Sequence, residues 1–183
     1  MSVETISTRV VTPVARLSYP ALFTPAKGMD GAEGKYQCEL IFEPGEDLSK
    51  LKAAAKEAAR TKWGDKIPAN LRSPFREGDV DRSEKDGYEG RIFIGARSKD
   101  RPGVVVGGGL EDCVDPREVY GGCYVRASVT AFAYDRSGNR GIAFALNNIQ
   151  KLGEGTRLDN RRAASDEFEA DLNEEPASLG DLL

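Results

Sequence analysis

The chain has 183 residues, 39% hydrophobic and 31% charged, with a formal net charge of −4. That length suits one domain with a real core rather than two of ordinary size, and no apolar run approaches the roughly 18 residues a membrane helix needs. There is no histidine, which excludes Ser-His and Cys-His nucleophile pairs, HExxH metalloproteases and histidine-ligated zinc deaminases.

The first segment, Thr8 to Tyr19, mixes Val10, Val11, Val14 and Leu17 with Pro13, and reads as an irregular or edge strand because proline cannot donate to a ladder. In Lys35 to Glu43, Tyr36, Cys38, Leu40 and Phe42 alternate with Lys35, Gln37, Glu39 and Glu43, the period of a half-buried strand that only Ile41 breaks. A helix is predicted from Leu48 to Lys62, with Asp47 as N-cap and Gly64 past its end. It packs through Leu48, Leu51, Ala55, Ala58 and Ala59, with Trp63 a packing residue at its edge.

Residues 64–90 carry Pro68, Pro74, Gly78, Gly87 and Gly90 among dense charge and read as a long loop, a feature commonly functional in compact domains. Strands are predicted at Arg91 to Lys99, Val104 to Val106, Cys123 to Asp135 and Gly141 to Lys151. The last two form a hairpin about the turn-rich stretch Asp135 to Arg140.

Periodicity stops at Leu152. All 26 Lys and Arg fall within residues 1–162, leaving that body at +3, while residues 163–183 carry seven acids and no base. The expected organisation is a domain over 1–162 and an acidic, disordered C-terminal tail over 163–183, since such a composition buries too little apolar surface to offset its ordering entropy. A mildly basic body joined to an acidic tail differs from a uniformly acidic protein and is compatible with a nucleic-acid partner.

Separating the faces of the best strands locates the candidate site. Along Cys123 to Asp135, Cys123, Val125, Ala127, Val129, Ala131 and Ala133 form a small apolar face suited to the inside of a tight barrel. The other face carries Tyr124, Arg126, Ser128, Thr130, Phe132 and Tyr134. Arg91 to Lys99 repeats this, with Ile92, Ile94 and Ala96 opposite Arg91, Phe93, Gly95, Arg97 and Lys99. Solvent-facing aromatics among cations form a stacking platform with phosphate partners, the mode by which sequence-tolerant proteins hold single strands. The expected DNA-binding set is therefore Arg91, Phe93, Arg97, Lys99, Tyr124, Arg126, Phe132 and Tyr134. The competing reading buries these aromatics in a second core layer while the arginines reach outward. Phe144, alternating with Ile142 and Leu146, reads as core.

Other signals are weaker. Gly107-Gly108-Gly109 lacks the Lys-Ser/Thr of a phosphate loop and reads as a strand connection. Asp79 to Ser83 begins like a calcium loop but places Glu84 where glycine belongs. Asp112, Asp115 and Glu118 read as solvated carboxylates rather than a magnesium site. Cys38, Cys113 and Cys123 make no CxxC pair, which argues against a disulfide framework or thiolate zinc site and fits a reducing cytoplasm. No metal or cofactor is expected.

Four segments together resemble a family of bacteriophage single-stranded DNA-binding proteins: Gly87-Tyr-Glu-Gly90, Phe93 to Lys99 with Arg101-Pro102, Tyr120-Gly-Gly-Cys-Tyr-Val-Arg-Ala-Ser128, and Gly141 to Lys151. The resemblance spans roughly Thr8 to Arg162. It implies a mainly β, OB-fold-like barrel with one helix and long loops, no enzymatic activity, and work in phage DNA replication or recombination. One departure is visible: the helix follows the second strand candidate rather than a third, so either the topology is elaborated or the first strand is two. The tail is also similar to the acidic, apolar-ended segments of many single-strand binders. That likeness implies that Asp166, Glu167, Phe168, Glu169, Asp171, Leu182 and Leu183 modulate DNA binding and recruit replication or recombination proteins. The expected partner is single-stranded DNA, with no membrane, with homo-oligomerisation left open, and with residence in the bacterial host cytoplasm if phage-encoded. The alternative is a phage accessory barrel that uses the same aromatics against a protein.

Overall fold

The computed structural model describes residues 7–28 and 34–159. The segment expected to form the acidic tail, with Asp166, Glu167, Phe168, Glu169, Asp171, Leu182 and Leu183, lies outside them. The elements are β1 (Arg9–Val11), β2 (Ala15–Ala21), β3 (Tyr36–Phe42), α1 (Ser49–Trp63), β4 (Phe75–Glu77), α2 (Gly78–Asp81), β5 (Ile92–Ser98), β6 (Gly103–Val106), β7 (Glu111–Asp112), a 3-10 turn at Pro116–Glu118, β8 (Tyr124–Arg136) and β9 (Asn139–Gly153).

Five of the strands close a ring, in the order β2, β3, β5, β9, β8 and back to β2. Every ring pairing is antiparallel except that of β5 with β9. By chain order this is the 1-2-3-5-4 closure of a Greek-key OB barrel, the expected fold. The first predicted strand is indeed two: β1 and β2 separate around Pro13, and both pair with β8. The helix nonetheless still follows the second ring strand, so the topology is elaborated as well.

The lumen is filled as the alternation along β8 requires. Cys123, Val125, Ala127, Val129 and Ala131 are buried, and they meet Leu17, Leu40, Ile94, Ala96, Phe144, Leu146 and Ile149 in one cluster. Small side chains on β8 leave room for larger ones opposite, which a narrow barrel demands. α1 closes the core from outside by packing on β8, β1 and β9, with Leu51, Ala54, Ala55, Ala58 and Ala59 buried. Asp47 lies one residue before the N-cap, Leu48, and its carboxylate accepts from the Ser49 N–H at 3.0 Å. Gly64 ends the helix at φ 61°.

The predicted loop 64–90 is more ordered than its composition suggests. It contains β4, which adds to β5, and α2, and it ends in Tyr88, which is 1% exposed. Tyr88, Ile41 and Phe93 form a second apolar cluster on the outer face of the barrel, with the Tyr88 and Phe93 rings edge to face at 5.0 Å. Ile41 and Phe93 are register partners across β3 and β5, so the residue that breaks the alternation of β3 belongs to this outer layer.

The expected exposure of Phe93 is thereby corrected. Its side chain does leave the lumen, but the segment containing α2 covers it and it is 0% exposed. A ring in that position supports folding, and Phe93→Ala is expected to cost about 3–5 kcal/mol of stability. Denaturant unfolding checks this, and a loss near zero would show that the outer cluster contributes nothing.

Candidate nucleic-acid interface

A groove runs over the outer face of β2, β3 and β5. One part, about 560 Å³, is lined by Tyr19, Gln37, Glu39, Arg76, Arg82 and Arg97. The other, about 760 Å³, is lined by Tyr19, Lys85, Tyr88, Arg117, Tyr120 and Arg157. They meet at Tyr19, Glu84 and Lys85.

Local structure of β2 places Tyr19 there. Ser18 pairs with Glu39 and Ala21 with Gln37, so Tyr19 and Pro20 stand opposite one residue of β3. Such a bulge re-aims a side chain. Tyr19 takes φ 45°, an unusual conformation for a residue with a Cβ, and is 46% exposed. The Arg82 guanidinium lies over its ring at 6.0 Å from the centroid and the Lys85 ammonium at 5.9 Å. Backbone held in a sparsely populated region persists only where the surroundings impose it, and it concentrates at functional sites.

The second cluster builds the wall beside it. The guanidiniums of Arg76 and Arg82 both lie over Phe93, at 5.0 and 5.4 Å. Arg82 also pairs with Glu39 at 2.5 Å, and the Tyr88 hydroxyl donates to the same carboxylate. Burial, and then that bond to Glu39, push the Tyr88 phenol well above its ordinary range, so it stays protonated as the donor. The pairing with Glu39 raises Arg82. Several groove carboxylates are thus committed to cations: Glu39 to Arg82, Asp81 to Arg76 at 3.4 Å and Asp159 to Arg157 at 3.3 Å. Among the described residues Lys85 and Arg97 enter no ion pair, which leaves two cations facing the groove.

The far end is held by the chain after β9. Arg157 lies over Tyr120 at 4.5 Å, and the Tyr120 hydroxyl donates to the Glu154 carboxylate. Leu158 packs on the outer cluster. Gly122, at φ 116°, lets the segment pass close, since a Cβ there would lie 2.1 Å from the Thr156 carbonyl oxygen. Gly87, at φ 89°, likewise admits Leu158, whose Cδ2 would lie 2.8 Å from a Cβ.

The residues singled out from sequence fall in several places. Arg97 lines the groove. Arg91 pairs with Glu43 at 3.0 Å, and Lys99 is exposed just past β5. Phe132 is 43% exposed, and Tyr134 is half-buried over its register partner Gly141, its hydroxyl 2.5 Å from where a Cβ there would be. Arg126 is exposed opposite Gln150, while Tyr124 is half-buried against Arg16 and Gly155. Register joins the two sets in part: Arg97 pairs with Ala145, which pairs with Thr130, two residues before Phe132. Tyr19, Arg76, Arg82, Lys85, Tyr120 and Arg157 were not foreseen as site residues. The signals were the phase break at Ile41 and the tyrosines of Gly87-Tyr-Glu-Gly90 and Tyr120-Gly-Gly, which anchor the wall and the far end.

The family described as Enterobacter phage Enc34, ssDNA-binding protein, matches residues 8–178. The chain belongs to that family. A protein named p50, from Acyrthosiphon pisum secondary endosymbiont phage 1, is 29% identical over 86% of this chain and 90% of its own length. The single-stranded DNA-binding protein from bacteriophage Enc34, solved in complex with ssDNA, superposes with TM-score 0.71 over 83% of this chain and 90% of that chain at 24% identity. The bacteriophage T7 single-stranded DNA-binding protein gp2.5 superposes with TM-score 0.56 over 93% of this chain and 98% of its own at 12% identity. These likenesses in structure show a shared fold.

The bonds from Lys151 and Tyr120 hold the Glu154 carboxyl below its ordinary value of 4.5. A carboxylate favoured in the folded state contributes stability that is full above its unfolded value and is lost as pH falls through the lower folded one. The segment over Tyr120 is therefore expected to loosen below about pH 4.5. Tyrosine fluorescence titrated from pH 7 to 3 reads the step, and Glu154→Gln removes it.

Proposed function

We propose that this chain coats single-stranded DNA with little regard to sequence, stacking a base on Tyr19 and holding phosphates with Lys85, Arg97 and the arginines of the groove wall. The observation that carries this reading is Tyr19 itself: a half-exposed ring, set by a bulge at a positive φ, with two cations close to it where the two parts of the groove meet. An aromatic face accepts any base, and cations beside it suit the backbone. In OB barrels the face of the second and third strands is the usual place for such a ligand, and membership of a single-stranded DNA-binding family supports the same choice over a barrel that serves only protein contacts. From Arg97 the strand continues across the low surface left by Gly95 and Ala145 toward Phe132. The chain acts without chemistry on the strand, in replication or recombination of phage DNA in the host cytoplasm.

Tyr19→Ala is expected to weaken oligo-dT binding by about 1–3 kcal/mol, with a salt slope near −0.7 per phosphate contact for the parent. Fluorescence titration measures both. Unchanged affinity in Tyr19→Ala, or no preference for oligo-dT over a non-nucleic polyanion, would overturn the reading.

The acidic segment 163–183 competes with DNA phosphate for the same cations and, once displaced, offers its leucines to replication or recombination proteins. Support comes from Arg157 and Asp159, which line the groove a few residues before that segment in the chain, since a short tether gives a high effective concentration. Removing residues 163–183 is expected to tighten binding, most at low salt. Equal affinity of the shortened and full chains at low salt would remove this role.

A further inference from the structure

Two charged surfaces, centred away from the groove, have opposite signs. The first is the solvent face of α1. Between Ser49 and Trp63 the helix carries Lys50, Lys52, Lys56, Arg60 and Lys62 against a single carboxylate, Glu57. All five cations are exposed, and they stand opposite the buried Leu51, Ala54, Ala55, Ala58 and Ala59. The ion pair of Arg60 with Glu57 at 2.6 Å is internal to the helix. Trp63 packs against the core, so this face offers no ring for a base to stack on.

The second surface is the β6–β7 hairpin and the loop after it. Glu111 and Asp112 form β7 and are exposed, and Glu118 follows, also exposed. Two large apolar side chains stand among these acids: Leu110 is 61% exposed at φ 54°, and Val114 is 90% exposed. Scattered apolar exposure is ordinary. Here it coincides with a strained residue and a run of acids.

Topology separates the two surfaces. α1 packs on β8, β1 and β9, and β1 hangs from the edge of β8 that faces away from β9. The β6–β7 hairpin hangs instead from the opposite edge of the β8–β9 ribbon, through the pairing of β6 with β9. The groove has β2, β3 and β5 for its floor and meets the loop after β7 at Pro116, Arg117 and Val119, but it reaches neither α1 nor the β6–β7 hairpin itself. A positive patch and a negative patch on different sides of one molecule are complementary between copies, and the contact they make is head-to-tail. Such a heterologous contact propagates as an open filament unless its rotation closes a ring.

We propose that the α1 face of one copy docks on the acidic β6–β7 hairpin of the next copy bound along the same strand, with Leu110 and Val114 resting on the methylene stems of the α1 lysines. The occupant is a second copy of this chain. The inference rests on the single-strand reading, because DNA supplies the local concentration that makes weak, charge-driven contacts count. Exposed ion pairs are individually small, so several acting together set the cooperativity.

The test is a comparison of the full chain on a short oligo-dT that holds one molecule and on long poly-dT. Charge reversal on the helix (K52E, K56E and R60E together) is expected to leave short-oligo affinity unchanged and to lower the cooperativity on poly-dT by about tenfold at low salt. Reversal on the hairpin (E111K with D112K) is expected to do the same, and an equimolar mixture of the two reversed proteins is expected to recover part of the loss. Failure of the parent to bind the short oligonucleotide would instead sink the single-strand reading. Weaker short-oligo binding by the helix variant would place DNA itself on α1 and overturn the proposal. Loss of cooperativity on removal of 163–183, with none on hairpin reversal, would make the acidic segment the occupant and overturn it equally.

Discussion

Ile41, Phe93 and Tyr88 are buried on the outside of a barrel whose inside is already full, and this second packing layer shapes everything around it. The edge-to-face contact of Tyr88 with Phe93 and the Tyr88 bond to Glu39 fasten the chain between α2 and β5 onto the strands. Without that layer the outer faces of β3 and β5 would form an open surface. With it they become the floor of a groove whose wall presents Arg76, Arg82 and Lys85. Burying a phenylalanine there has a further effect, because its ring face attracts the two guanidiniums above it and so fixes cations beside the opening rather than leaving them to sweep through solvent.

The groove orders its cations by pairing them with carboxylates rather than by a simple excess of positive charge. Glu39, Asp81 and Asp159 each hold an arginine in place, and an arginine with one fork committed keeps other donors for a ligand. Pre-ordered cations lose less conformational freedom when a phosphate arrives. Tyr19 is treated the same way: bulge and positive φ settle its direction before any ligand is present. The far end follows this pattern too, with Arg157 laid over Tyr120 and Glu154 accepting from the phenol.

The helix sits after the second ring strand, yet the barrel closes in the usual order. Closure requires only that β8 be narrow on its inner face and long enough to meet β9, β2 and β1 along its length. α1 contributes an alanine-rich surface that approaches the sheet closely, and its other face is left for solvent or for a partner of opposite charge.

Much of the barrel could be read from the residues alone. Alternation on β8 and β9 marked the hairpin, the small residues marked the inside, and Pro13 marked the first strand as irregular. These are local properties, since side chains alternate along a strand whatever surrounds it. The same alternation showed that Phe93 leaves the lumen, but it could not show what lies on top of it, because Tyr88 and the arginines arrive from a segment whose composition reads as loop. For the same reason Tyr19, Arg82 and Tyr120 did not stand out: they are distant in sequence, and only the folding of residues 76–88 over β3 and β5, together with the run after β9 past Gly122, brings them to one groove. Sequence determined the barrel, its hairpin and its charge division; tertiary structure decided which aromatic is covered and which is offered, because that depends on contacts between segments that have no shared period.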